Sequence, residues 1–206
     1  MSLWPNITAM GDLAVLVPSV GLMLVWLSLF PATRAVAWRW AILFLFVAGL
    51  VAASKLTFMA WGWGIRRLNF IGVSGHSAMA ALVWPSMLGL VFDVQWRRWR
   101  LAAMVSGQLL ALFIAISRLM LHAHSMAEVV AGFVVGSTVA LLFLTRFGDR
   151  WRLQGRGIFL AASVLLMLPF VYGHRFPSER ILRVLAQHLS VDNTVYTRRY
   201  FHDYYD

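Results

Sequence analysis

The chain has 206 residues, 61% of them hydrophobic and 13% charged, with a mean hydropathy of +0.74, which excludes an ordinary soluble domain and describes an integral membrane protein. Its formal net charge of +10 does not single out nucleic acid as a partner, because the arginines stand in short clusters between apolar runs instead of along one face. Cysteine is absent, so disulfides and thiolate metal sites are excluded.

Residues 1–11 carry no basic side chain and no small-residue cleavage site follows, so the first apolar run reads as a retained helix and not as a signal peptide. Six apolar segments follow in chain order, at about 12–30, 38–60, 77–92, 101–117, 126–145 and 157–173. Some are shorter than the ~20 residues that span a bilayer, but Trp, Arg and Ser flanks can complete a crossing by snorkelling and interfacial anchoring. The expected fold is all-α: a polytopic six-transmembrane-helix bundle over residues 1–173 and a short C-terminal amphipathic tail over 174–206. In that tail, Ile181, Val184, Leu185 and His188 recur at helical spacing beside arginines, as in a helix lying on a membrane surface. The closing stretch, YTRRYFHDYYD, is aromatic and mixed in charge, and suits either the headgroup region or a free end. Trp61 and Trp63 read as part of an aromatic belt.

Charge sets the expected orientation. Arg34, Arg39, Arg97, Arg98, Arg100, Arg146, Arg150, Arg152 and Arg156 fall in the loops after the first, third and fifth segments, which share one side if every segment crosses. By the positive-inside rule that side is cytoplasmic. The opposite side, periplasmic for a bacterial inner membrane, then carries both termini and a convergence of polar residues. Lys55 ends the second segment, Ser74, Gly75 and His76 open the third, Arg118 closes the fourth, and His124 with Glu128 opens the fifth. Ionisable groups at membrane depth are costly, so their collection at one level marks a functional site.

The residue types specify a chemistry. His124 and Glu128 are four apart and share a helix face, so the carboxylate can hold the imidazole in one tautomer and leave its other nitrogen free to attack. His122 cannot make that pair and ranks as a neighbour. Ser74 and the amides of Gly75 and His76 stand at a helix N-terminus, which favours an anion, while Lys55 and Arg118 add positive charge and directed donors. The set reads as a phosphate cradle with two histidines.

The stretch SRLMLHAHSMAE fits Ser-Arg-x5-His-x3-acid, SGH at 74–76 fits a middle motif, and Lys55 precedes both. In order and approximate spacing this resembles the type 2 phosphatidic acid phosphatase family, relatives of the vanadium haloperoxidases. The resemblance implies a metal-independent, cofactor-free phosphatase acting on a lipid phosphate or pyrophosphate, such as phosphatidate, phosphatidylglycerol phosphate, a polyprenyl pyrophosphate or a lipid A phosphate. It further implies that His124 attacks phosphorus to form a phosphohistidine, His76 protonates the leaving oxygen and Glu128 orients His124. Lys55, Ser74, Gly75 and Arg118 would bind the phosphoryl oxygens. The chain departs from the family pattern twice. Gly62 stands where the first motif, Lys-x6-Arg-Pro, carries Arg, so that either Arg66 or Arg67 reaches the phosphate from the loop or the site works with one donor fewer, and Glu128 stands where the last motif carries Asp.

Three rival readings stay open at this level. One is transfer of the phosphoryl group to a second lipid in place of water, and another is a non-enzymatic protein that binds or transports phospholipid. The third starts from GVSG at 72–75, which resembles the nucleophile motif of rhomboid intramembrane proteases, with Ser74 as nucleophile and His124 as base.

Overall fold

The computed structural model describes residues 3–147, 157–190 and 193–200. Arg150, Arg152 and Arg156 of the charge argument, and the last six residues of the tail, lie outside the described residues. Regular structure among the described residues is helical except for a single antiparallel bridge between Ile65 and Phe70. In chain order the helices are α1 (Trp4–Ala9), α2 (Leu13–Ser28), α3 (Pro31–Trp61), α4 (Gly75–Val91), α5 (Arg97–Met120), α6 (Met126–Phe147), α7 (Gly157–Val171) and α8 (Ser178–Leu189). Helices α3, α5 and α6 are long and apolar enough to cross a membrane, whereas α2, α4 and α7 are apolar but shorter.

Local chemistry sets the helix ends that matter for the site. Asp12 caps α2, its Oδ1 accepting from the Ala14 amide at 2.9 Å. Pro31 opens α3 behind the extended Phe30, where its missing N–H costs nothing. At the other end Gly62 (φ 71°) turns the chain left-handed and donates its amide to Phe58 O at 2.8 Å. α3 starts seven residues before the expected apolar segment because Pro31 and the polar turn around Arg34 continue the helix beyond its hydrocarbon stretch. His122 stops α5 with φ 50°, a conformation that histidine tolerates better than most side chains. The chain therefore turns from α5 into α6 within five residues.

Helix α4 is the centre of the bundle, buried without interruption from Ser77 to Met87, and α5 and α6 pack directly on it. At Gly132 a Cβ would stand 2.5 Å from Ser74 O, so only glycine lets α6 lie this close to the start of α4. The outer faces are apolar in turn: Trp38, Leu45, Leu166 and Phe170 are all more than half exposed, as suits a lipid-facing surface.

The alternating run of the helices brings the start of α2, the end of α3, the start of α4, the end of α5 and the start of α6 to one end of the bundle. α1, α8 and the tail gather there too. Trp84 Nε1 donates to Met10 O at 3.1 Å, the Phe176 amide donates to Asp12 Oδ1 at 3.0 Å, and the Tyr196 amide donates to Met59 O at 2.9 Å. α8 forms over the expected residues, but instead of only lying on a surface it packs against α3 and buries Ala186 completely.

Candidate active site

A cavity of about 990 Å³ opens at this end of the bundle. Lys55, Gly75, His76, Arg118 and His124 line it, so five of the expected site residues share one wall. An apolar part of it runs between α2 and α3 past Val17, Phe44, Ala48 and Val51. α8 and the tail complete the rim with Glu179, Arg183 and Arg198.

Glu128 is the anchor of the site. It is completely buried, yet every part of its carboxylate is engaged. Oε2 accepts from His124 Nδ1 at 2.7 Å and from the Ser125 amide at 3.1 Å, while Oε1 accepts from the Ile71 amide at 2.9 Å. Its backbone carbonyl also accepts from the Ser74 amide at 3.1 Å, which ties the start of α6 to the start of α4. Against an acceptor-only carboxylate, Nδ1 of His124 must carry the proton, so Nε2 holds the lone pair. Burial lowers the His124 pKa from its ordinary value; the bond to Glu128 opposes this and the Lys55 charge reinforces it. The net result is an imidazole that is neutral at pH 7, which is the nucleophilic form.

The second histidine has its own carboxylate, one the sequence reading missed. Asp12 Oδ2 lies 3.7 Å from His76 Nε2, an ion pair whenever the imidazole is protonated. Burial works to raise the Asp12 pKa, but His76 and the amides of Ala14 and Phe176 outweigh it and hold the carboxyl at about 2. Asp12 is therefore charged at any physiological pH.

Donors without partners surround the two histidines. Arg118 Nη1 donates to Thr8 Oγ1 at 2.9 Å, but its buried Nε–H has no partner among the described residues. Lys55 makes no hydrogen bond or ion pair among the described residues. Ser74 gives α4 no side-chain cap, so the first-turn amides beginning at Gly75 keep their affinity for an anion. Buried donors left open in this way favour a ligand that brings several acceptor oxygens.

Two expected phosphate ligands stand elsewhere. Ser74 is fully buried off the cavity wall, and its hydroxyl accepts from Ser77 Oγ at 3.0 Å. With no bond between Ser74 and His124, the serine-nucleophile arrangement of the protease reading is not formed. Arg66 sits with Arg67 on an exposed 3-10 turn, Arg66–Leu68, away from the cavity lining. From the tail, Arg198 enters the site instead. Among the described residues no group of three His, Asp or Glu side chains could hold a metal ion.

Asp12 had a legible signal as the acidic cap ahead of an apolar run. Arg198 had none, since it meets Glu128 across a sequence separation of 70 residues.

Comparison with known proteins agrees with this geometry. The PAP2 superfamily model matches residues 60–152, which include His76, Arg118, His124 and Glu128 but leave Asp12, Lys55 and Arg198 outside. A Klebsiella pneumoniae protein described as "Uncharacterized 22.5 kDa protein in cps region" is 36% identical over 210 residues, covering 97% of this chain and 97% of that protein. No solved structure matches the chain. On the motif residues gathered in one cavity, the family match and the full-length relative, the chain belongs to the PAP2 superfamily.

Proposed function

We propose that the protein is an integral membrane phosphatase that hydrolyses a lipid phosphate or pyrophosphate through a phosphohistidine on His124. In this reading α2, α4 and α7 cross the membrane beside α3, α5 and α6, and the site opens to the periplasmic face of a bacterial inner membrane. The observation that carries the reading is one cavity holding two carboxylate-paired histidines and unpaired cationic donors at its polar end, continuous with an apolar wall between α2 and α3. A diffusible phosphate ester needs only the polar end. A lipid uses both, since its chain can lie along the apolar wall while its headgroup reaches the histidines.

The chemistry uses the lone pair on His124 Nε2 and a protonated His76 beside Asp12. His124 Nε2 attacks phosphorus as the bond to the lipid oxygen breaks, and His76 delivers a proton to that oxygen. Lys55, Arg118 and the α4 amides take up the charge spread over the remaining phosphoryl oxygens. A water molecule then attacks the phosphohistidine, gives its proton to His76 and restores both histidines.

Phosphate release by the detergent-purified protein, measured over a panel of lipid phosphates and pyrophosphates in the presence of EDTA, tests the proposal. Release is expected to survive EDTA and to fall to background in His124→Ala. Folded protein that releases phosphate from none of the lipids would instead favour phospholipid binding or transfer.

A further inference from the structure

Arg198 lies beyond α8, yet its guanidinium reaches the most buried charge of the site. Nη2 donates to both carboxylate oxygens of Glu128, at 2.9 Å to Oε1 and 2.8 Å to Oε2. Nη1 donates to the backbone carbonyl and the side-chain oxygen of Asn69, at 2.9 and 2.8 Å. One side chain thus joins the C-terminal tail, the α3–α4 loop and the start of α6. The approach depends on Gly62, where a Cβ would stand 3.2 Å from the Tyr196 ring.

We infer that Arg198 is a positioning residue for the nucleophile: it holds both carboxylate oxygens of Glu128, including the one that accepts from His124, and so fixes the imidazole with Nε2 toward the cavity. The inference rests on the reading of His124 as nucleophile. Two physical effects support it. First, Nη2 spans both carboxylate oxygens while Nη1 is fixed by Asn69, so the carboxylate is held against rotation and the bond it receives from His124 Nδ1 keeps one direction. Second, Glu128 without a counter-charge would favour the imidazolium, which cannot attack phosphorus. A forked arginine offsets that pull while leaving the hydrogen bond intact. The other charged groups facing His124 are Lys55 from α3, His76 from α4, Arg118 from α5 and Glu179 from α8. Arg198 differs from all of them in touching Glu128 directly.

The test is the titration of His124 in ¹⁵N-histidine-labelled protein in detergent micelles, with its resonances identified by their loss in His124→Asn. Arg198→Gln is expected to raise the His124 pKa by ~1 unit, and Arg198→Lys, which keeps the charge but not the fork, to leave it close to wild type. In the kinetic arm, Arg198→Gln should lower kcat by ~10-fold with little change in KM and move the acid limb of kcat/KM upward with the titration. Should Arg198→Gln fail to fold, Asn69→Gly removes one acceptor of the fork without straining a residue at φ 46° and should shift the pKa in the same direction by less. An unchanged His124 pKa in these variants would overturn the inference, leaving Arg198 as an anchor of the tail alone. The titration needs no turnover, so an inactive wild type would sink the phosphatase reading and still decide this one.

Discussion

Glutamate at 128, where the family pattern has aspartate, is matched to its surroundings in length as well as charge. Its carboxylate accepts from the Ile71 amide at Oε1, from His124 and the Ser125 amide at Oε2, and from Arg198 Nη2 at both oxygens. Shortening the side chain by one methylene pulls the carboxylate, which is fully buried, back from some of these donors. Glu128→Asp is therefore expected to lower kcat by ~10-fold or more, the cost of one lost hydrogen bond to a charged group, although it restores the family's residue. Steady-state kinetics beside wild type checks this, and an active or improved Glu128→Asp enzyme would mean that the fork is not needed. The His124–Glu128 pair was readable from spacing alone because i,i+4 geometry is local. The pairing of Asp12 with His76 and of Arg198 with Glu128 was not, because neither spacing nor hydrophobic period reports contacts between opposite ends of a chain.

Among the helices, the approach of α6 to α4 decides whether the two histidines meet. Gly132 has Ser74 O, Ser77 Cβ and the Ala78 amide in the space a side chain would need. Gly132→Ala is expected to push α6 outward at the level of Glu128, costing ~1–3 kcal/mol as overpacking against backbone. It should also reduce phosphate release, since Ser74 and Glu128 are joined across the same contact. Gly49 on α3 supplies the control: nothing lies within 4 Å of its Cβ position, so Gly49→Ala should be neutral or stabilising by up to ~1 kcal/mol. Thermal unfolding of both variants in detergent, with activity measured in parallel, separates the two cases. Hydropathy located the six apolar helices because each carries its own apolar run. It missed α1, which is six residues long, and the polar first turns of α3 and α5, where Pro31 and Arg97 extend the helix past its hydrocarbon stretch.

For the whole molecule the question is which side of the membrane the site faces, and charge and structure bear on it differently. The bundle puts Lys55, His76, Arg118 and His124 at one end, together with α1, α8 and the docked tail. The exposed Arg97 and Arg98 start α5 at the opposite end. Basic residues near membrane segments tend to be retained on the cytoplasmic side, and under the proposed orientation that retention would send the site outward. The site end is itself basic, with Arg66 and Arg67 on its loop, so the asymmetry is one of degree and calls for measurement. Because the chain contains no cysteine, single cysteines can be introduced without background. Arg67→Cys lies on the exposed turn beside the site and Arg98→Cys on the far side. In bacterial cells with a permeabilised outer membrane, a membrane-impermeant maleimide is expected to label Arg67→Cys at once and Arg98→Cys only after lysis. Such labelling would mean that lipid phosphates are dephosphorylated on the periplasmic leaflet, so that the substrate must first be carried across. Labelling in the reverse order would place the cavity on the cytoplasmic leaflet, where lipid phosphates are made, and the charge reading of the loops would fall with it.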